Sequence, residues 1–201
     1  MSAVVVPLKT AFAVDATLAQ IEAILDSVPD PEIPVVSIRE LGILRDVRVS
    51  ASGLVEVVIT PTYSGCPAMG QIKDDVIAAL ARHQINATVT LQLAPAWTTD
   101  WITPAAREKL RAYGIAPPHT AGAQEPGQSH VIQFATKNRA NYLYRTWENG
   151  QFDSSNGLEP VNCPQCGSAN TTETSHFGST ACKALYRCLD CMEPFDYFKP
   201  Y

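Results

Sequence analysis

The chain contains 201 residues, of which 46% are hydrophobic and 17% are charged, a composition typical of a folded protein with a substantial apolar core. Its net charge of −5 and the lack of any lysine or arginine cluster argue against nucleic acid and anionic membranes as partners. The apolar N-terminal run is broken by Pro7 and Lys9, and no later run approaches the roughly eighteen apolar residues of a membrane span. We therefore expect a cytoplasmic protein, in which six cysteines favour metal binding or thiol reactivity over disulfides.

The first 115 residues predict a compact α+β domain. Apolar residues at helical spacing alternate along this part of the chain with β-rich runs and with turns rich in glycine and proline. The predicted elements are, in chain order, a helix over 18–28, a hairpin of strands over 43–50 and 54–60, a helix over 67–83, a strand over 86–94 and a helix over 104–113. The predicted fold class is thus α+β, with the order helix–hairpin–helix–strand–helix.

The chain changes character after this domain. Residues 116–160 are interpreted as a linker or insert, because their first part is rich in proline, glycine and small polar residues. Residues 161–201 form a second, cysteine-rich unit, for which we predict a β ribbon. Its candidate strands are 171–177, 183–187 and 194–198.

Four cysteines in this tail have the spacing of a metal site. Cys163, Cys166, Cys188 and Cys191 form two C-x2-C pairs separated by twenty-one residues. Two such pairs supply the tetrahedral sulfur cage that zinc prefers, and a closed all-thiolate site does no chemistry itself. An iron site has the same ligands, a redox dithiol needs only one pair, and four unrelated buried cysteines are the remaining alternative. We favour structural zinc, which would supply most of the folding free energy of so small a unit.

A fifth cysteine lies outside this cluster, in the stretch TPTYSGCPA (60–68). Cys66 is placed at or just before the start of a helix, where unpaired N–H groups and the helix dipole favour an anion. We therefore expect a lowered pKa for this thiol, which could then hold iron or copper(I) or accept a cluster. The alternative is a small apolar side chain that fills a gap in the core, and spacing alone does not decide between the two.

Three further residues are candidates for the same site. Asp30 and Glu32 lie in the rigid turn DPEIP, where Asp30 is expected by default to accept backbone N–H bonds. A carboxylate near Cys66 could also accept a proton or bind a metal. Cys182 is expected to pack within the ribbon, or to be a second working thiol near Lys183. The sequence has no dinucleotide fingerprint, P-loop or nucleophile elbow, so a standard enzyme is not indicated.

Four long stretches of the chain resemble one bacterial family. They are SVPDPEIPVVSIRELGILRDV (27–47), TPTYSGCPA (60–68), LAPAWTTDWITPAAREKLRAYGIAPP (93–118) and the segment 177–199. Together they are similar to the PaaD family, a component of the phenylacetyl-CoA epoxidase system. The first domain also resembles the SufT-like family, whose members assist iron–sulfur protein assembly. The recurring SufT-like features are a DPE turn and a cysteine before the second helix, which here are Asp30, Glu32 and Cys66.

The resemblance implies an accessory role in which the protein helps to mature a metal-containing component. The implied partners are the di-iron oxygenase and the iron–sulfur flavin reductase of the epoxidase system. Cys66 would handle iron or an iron–sulfur cluster transiently, with Asp30 as its helper. Residues 119–160 have no counterpart in the resemblance.

These observations give three hypotheses. The leading one is a factor that inserts iron or an iron–sulfur cluster into a partner of the epoxidase system. The second is a non-catalytic adaptor that stays in the complex and docks through its zinc ribbon. The third is a thiol-based redox enzyme that uses Cys66 and Cys182.

Overall fold

The computed structural model describes residues 18–119 and 160–200. The helices in these ranges are α1 (Leu18–Asp26), α2 (Met69–Ala81) and α3 (Pro104–Ala112), with a 3-10 turn at Thr99–Trp101. The strands are β1 (Leu44–Val49), β2 (Val55–Ile59), β3 (Ala87–Leu91), β4 (Ile115–Ala116), β5 (Thr171–Ser175), β6 (Lys183–Cys188) and β7 (Pro194–Phe198). No helix within the described ranges is long and apolar enough to cross a membrane. Most of the predicted insert, residues 120–159, lies outside the described residues.

The predicted α+β class is confirmed, and its elements lie within a few residues of their predicted positions. α3 begins and ends as its sequence indicates. The hydroxyl of Thr103 accepts a hydrogen bond from the N–H of Ala106 at 3.1 Å, Pro104 occupies the first turn, and Gly114 follows with a φ of +91°. α2 begins later than predicted, at Met69, because Pro67 lies in a turn that precedes the helix.

The first sheet has the strand order β1-β2-β3. β1 and β2 form the predicted antiparallel hairpin, whereas β3 runs parallel to β2 and pairs Ala87 with Val55. Parallel neighbours need a crossover, and α2 provides it. α2 turns Ile72, Val76 and Leu80 into the main core, and α1 contributes Ile21 and Leu25 to the same core.

The second sheet has the order β4-β7-β6-β5 and joins the ribbon to the first domain. The three predicted ribbon strands are confirmed. β4 follows α3 and pairs in parallel with β7, so that Ile115 lies opposite Asp196. Phe198, at the end of β7, is 1% exposed and lies in the core of the first domain, with its ring 5.9 Å from that of Trp97. The ribbon is therefore held to the first domain by backbone pairing and by a common apolar core.

Replacing Phe198 with alanine should destabilise the whole protein by about 3–5 kcal/mol, because it removes a fully buried ring from the common core. The measurement is urea-induced unfolding followed by tryptophan fluorescence. The matched control is Phe177→Ala on the same ribbon, where the residue is 65% exposed and the expected change is within about 0.5 kcal/mol. Equal, small effects for the two variants would show that the ribbon does not share the core.

Candidate functional site

The sulfur atoms of Cys163, Cys166, Cys188 and Cys191 converge in the ribbon, and all four lie within 4.8 Å of one another. The separations are 3.7 Å between Cys163 and Cys191 and 3.6 Å between Cys166 and Cys188. A disulfide would need about 2.05 Å. Four sulfurs bound at about 2.3 Å to one tetrahedral ion lie roughly 3.8 Å apart. The spacing thus fits a single metal ion held by the four thiolates, and such a site leaves no coordination position open.

Two similar turns position these cysteines. In each, the residue after the second cysteine has a positive φ, +77° at Gly167 and +66° at Met192. The chain therefore reverses around the metal position. In the second turn the N–H of Cys191 points at the sulfur of Cys188 at 3.5 Å, which is the donor that a thiolate ligand requires.

Hydrogen bonds between side chains outside the cluster link the two turns. Asp190, between the cysteines of the second turn, accepts hydrogen bonds from Ser168 and from the amide of Asn170, the latter at 2.8 Å. These bonds lower the pKa of Asp190 and keep it ionised. These bonds hold the two turns, and with them the four sulfurs, in a fixed relative position.

A second group of candidate residues lies where the ribbon meets the first domain. Asp30 is 6% exposed, and its Oδ1 accepts hydrogen bonds from the N–H groups of Glu32 at 2.9 Å and Ile33 at 2.8 Å. The default expectation for Asp30 is thus confirmed, since its carboxylate fixes the DPE turn. Burial nevertheless raises the pKa of Asp30, against these hydrogen bonds and the attraction of Lys183.

Cys66 is half-buried in the turn ahead of α2 and packs against the main core. The backbone N–H groups of Ala68 and Met69 bond to its sulfur and lower its pKa, as the sequence predicts. Burial and the negative charges of Glu32 and Asp30 outweigh them, so the pKa of Cys66 is raised. The predicted lowering of the Cys66 pKa is therefore wrong, because burial and the carboxylates of the DPE turn disfavour the thiolate.

Cys182 comes from the ribbon and reaches the same turn. It is 4% exposed, and its sulfur lies 3.9 Å from Oε2 of Glu32 and 3.0 Å from the hydroxyl of Thr180. Burial, with repulsion from Glu32 and Asp30, raises the pKa of Cys182 to about 11. The structure thus brings Cys182 to the acidic turn rather than leaving it within the ribbon.

Lys183 and Asp196 complete the group and were not proposed as site residues from the sequence. Lys183 is 5% exposed, and its Nζ lies 3.2 Å from Oδ2 of Asp196 on the neighbouring strand β7. Its charge also attracts Asp30 and Glu32. A lysine directly before the apolar residues Ala184 and Leu185 of a predicted strand is the sequence signal that could have indicated a buried charge.

Two cavities open beside these residues. One, of about 530 Å³, lies between the domain and the ribbon and is lined by Glu32, Lys183 and Asp196 among others. The other, of about 490 Å³, is lined by residues 60–64, which lead to Cys66, and by Leu93 and Trp97. We define the acidic thiol site as Asp30, Glu32, Cys66 and Cys182. Glu32 lines the first cavity, and the second lies beside the turn that precedes Cys66.

Two family models match separate parts of the chain. A family model described as "Iron-sulfur cluster assembly protein" matches residues 18–91, and one described as "PaaD zinc beta ribbon domain" matches residues 148–199. A putative 1,2-phenylacetyl-CoA epoxidase component of Escherichia coli is 44% identical over 183 residues, which cover 90% of this chain and 91% of that protein. The chain belongs to the PaaD family.

Two further matches each cover about half of this PaaD-family chain. The "Fe-S protein maturation auxiliary factor" of Porphyromonas gingivalis is 33% identical over 96 residues, covering 47% of this chain and 90% of that protein. A crystal structure of "Domain of Unknown Function DUF59" from Bacillus anthracis is 29% identical, covers 46% of this chain and 89% of that chain, and has a TM-score of 0.43.

The acidic thiol site of this PaaD protein draws on both matched regions. Asp30, Glu32 and Cys66 fall within the assembly-protein match, whereas Cys182 and Lys183 fall within the ribbon match. The four-cysteine cluster belongs to the ribbon match alone.

Replacing Cys166 with serine should remove the tightly bound metal, because a tetrahedral site loses one of its four thiolates. We expect one zinc ion per chain in the purified protein and far less than one in the variant, measured by elemental analysis after desalting. Cys66→Ser is the matched control and should retain the zinc. A Cys166→Ser protein with full zinc content would contradict the assignment of these four ligands.

Neutralising Glu32 should make Cys66 more reactive, because its negative charge helps to raise the pKa of the thiol. At pH 8 a raised pKa means less thiolate than in a free cysteine of pKa about 8.5, so alkylation of Cys66 by iodoacetamide should be slow. Glu32→Gln should accelerate it, whereas Glu108→Gln on exposed α3 should not. Peptide mass spectrometry gives the rate at Cys66 itself, and a slower rate in Glu32→Gln would contradict the electrostatic coupling.

Proposed function

We propose that this PaaD-family protein is a cytoplasmic accessory maturation factor of the phenylacetyl-CoA epoxidase system. It assists the insertion of iron or an iron–sulfur cluster into a partner component and does not act on the epoxidase substrate. The observation that carries the proposal is the position of Cys66 beside Asp30 and Glu32, inside the region that matches an iron–sulfur assembly family.

The chemistry of the site suits temporary rather than permanent metal binding. The site offers soft sulfur and hard carboxylate oxygens, donor types that iron accepts. Because the pKa of Cys66 is raised, the thiol is protonated at rest and gives up its proton only when a metal takes the sulfur. Return of that proton releases the metal again. Metal binding to this protonated thiol is therefore weaker than metal binding to a preformed thiolate.

The four-cysteine cluster supports a different role. Its sulfurs are fixed by two turns and by the bonds to Asp190, and they fit a closed tetrahedral ion. Such an ion, zinc in our proposal, has no open position from which it could be handed on. The cluster residues would hold the ribbon together while the acidic thiol site handles the cargo.

The relatives suggest the recipients. The Escherichia coli relative is named as part of a phenylacetyl-CoA epoxidase, and the Porphyromonas gingivalis relative as a factor in Fe-S protein maturation. For this chain we propose the di-iron oxygenase and the iron–sulfur flavin reductase of the same system as the partners.

A second candidate function is that of a non-catalytic adaptor, and one observation favours it. The ribbon exposes three large apolar side chains, Phe177, Leu189 and Met192, at 65%, 47% and 52%. Leu189 and Met192 lie in the second metal turn, so a docking surface built on them would depend on the bound metal. The adaptor requires no chemistry from Cys66.

Replacing Cys66 with alanine separates the two candidates. If the protein is a maturation factor, the reductase and oxygenase purified from cells that carry this variant should contain severalfold less iron, because the thiol proposed to handle iron is absent. Ser52→Ala, in the exposed hairpin turn, is the control and should leave their iron content unchanged. Normal iron occupancy in both components would refute the maturation role, and loss of co-purification in Cys188→Ser alone would favour the adaptor.

A further inference from the structure

The two sheets of the described residues have four edges, and three of these edges carry features that hinder pairing with another strand. β1, with the sequence LRDVRV, has three charged side chains and a register irregularity after Leu44. β5 contains Glu173 and has an irregularity after that residue, and β4 is only two residues long. Charges, bulges and short strands are the features by which proteins protect sheet edges against unwanted pairing.

The fourth edge, β3, has none of these features. Its sequence, ATVTL, contains no charged residue and no proline, and its pairing with β2 is regular from Ala87 to Leu91. Within residues 18–119 and 160–200, β2 is the only strand with which β3 pairs. A regular, uncharged edge of this kind is a template on which a further strand can pair.

The outer side of β3 presents the backbone groups of alternate residues. The carbonyl of Asn86 accepts a hydrogen bond from β2 at 3.0 Å, and the N–H of Gln92 donates one to β2 at 2.9 Å. In a parallel ladder a strand bonds to its neighbour through every second residue, so Thr88 and Thr90 also face β2. The residues between them therefore point their N–H and C=O groups away from β2. These residues are Ala87, Val89 and Leu91.

The side chains of β3 form one apolar and one polar face. Ala87 and Val89 are half-buried against the main core, and Leu91, on the same face, is 51% exposed. Thr88 and Thr90, on the other face, are exposed. The core of the first domain is thus incompletely covered along this edge, and a further strand with the same alternation would cover it.

A second copy of β3 complements both the backbone and the side chains of the first. When two copies pair antiparallel about a two-fold axis at Val89, Val89 lies opposite its equivalent, and Leu91 of each copy lies opposite Ala87 of the other. These are the residues whose backbone groups point outward, so each of the three opposed pairs exchanges two hydrogen bonds. On the polar face, Thr88 of one copy lies opposite Thr90 of the other, which is a favourable cross-strand pair.

We propose that β3 is the interface of a homodimer, in which the three strands of one copy and the three strands of the other form one continuous sheet. A two-fold interface requires a self-complementary surface, and the alternation of ATVTL is the same in both directions from Val89. Each copy carries a net charge of −5, and the uncharged side chains of β3 add no like-charge repulsion at the contact between the two copies.

The oligomeric state of the purified full-length protein is the first measurement. Sedimentation equilibrium from about 1 μM to about 100 μM covers association of micromolar affinity. Reducing conditions prevent disulfides between chains. At the upper concentrations we expect a mass that approaches twice the 21.8 kDa of one chain. A monomer throughout this range would overturn the inference.

Leu91→Lys tests whether this edge forms the dimer, because it adds to β3 a charge of the kind that protects other edges. The dimer dissociation constant should rise at least about tenfold, since the change occurs twice in each dimer. Val49→Lys is the matched control. Val49 is also apolar and is 46% exposed, but it lies at the end of β1, so its replacement should leave dimerisation unchanged. An unchanged dissociation constant in Leu91→Lys would overturn the inference.

Leu91→Pro is a second variant that spares the single chain. It removes an N–H that points away from β2, and proline is tolerated at such positions of edge strands. The dimer, in contrast, loses one backbone hydrogen bond from each copy and should again dissociate more readily. Circular dichroism and the melting temperature verify the fold of both variants. If Leu91→Lys does not fold, wild-type dimerisation of a folded Leu91→Pro protein would overturn the inference.

Amide hydrogen exchange, followed by NMR, locates the interface at single residues. We expect slow exchange at Ala87 and Val89 in the wild-type dimer and fast exchange at both in monomeric Leu91→Lys, whereas Thr88 and Thr90 are bonded to β2 in either state. A dimer without protection at Ala87 and Val89 would use a different surface. Protection of these amides in a monomer would show that another part of the same chain covers the edge. Either result would overturn the inference, and neither bears on the maturation role, which the iron content of the partner components tests.

Discussion

The contact between the start of β6 and the DPE turn is the constraint on which the rest of the structure depends. It buries Lys183 and Asp30 with incomplete pairing, and this arrangement costs free energy unless the surroundings hold it in place. Three features do so. β4 pairs with β7, Phe198 enters the core of the first domain, and β6 itself ends at Cys188 of the four-cysteine cluster. One strand of six residues, about 20 Å long, thus joins the metal cluster to the acidic thiol site.

Sulfur occupies two environments in this protein, and each determines a different chemistry. In the cluster, four sulfurs lie at the spacing of a single ion, and a backbone N–H donor supports that of Cys188 as a thiolate. At the DPE turn, Cys66 and Cys182 face carboxylates in a desolvated position, so that their pKa values are raised and they rest as thiols. Under the proposed function, the first environment retains a metal, whereas the second exchanges protons for one. Sulfur therefore serves permanent metal binding at one end of β6 and, under the proposed function, reversible metal binding at the other.

The sequence was sufficient to predict the elements and the cluster but not the interface. Helix and strand periodicity, the Thr103–Pro104 start of α3 and the two C-x2-C pairs are local signals, and each was recognisable within a few neighbouring residues. The contact of Cys182 with Glu32 joins positions 150 residues apart, and the two-residue strand β4 is too short to show any periodicity. The pKa of Cys66 was mispredicted because it, too, depends on contacts between residues that are distant in the sequence. The helix start is visible in the sequence, whereas burial and the opposing carboxylates arise only from the tertiary fold.

The geometry also explains why a metal ribbon is joined to an assembly domain in one chain. A tail this small orders its strands through the bound metal, so the position of Cys182 and Lys183 depends on an occupied cluster. An unmetallated tail would leave the DPE turn with its two carboxylates and a single thiol, without the buried cation that balances them. Under the proposed function, cargo binding at the turn is therefore conditional on metal in the ribbon. The ribbon then acts on the site through the rigidity of β6, and this role is compatible with a separate docking surface on its exposed turn.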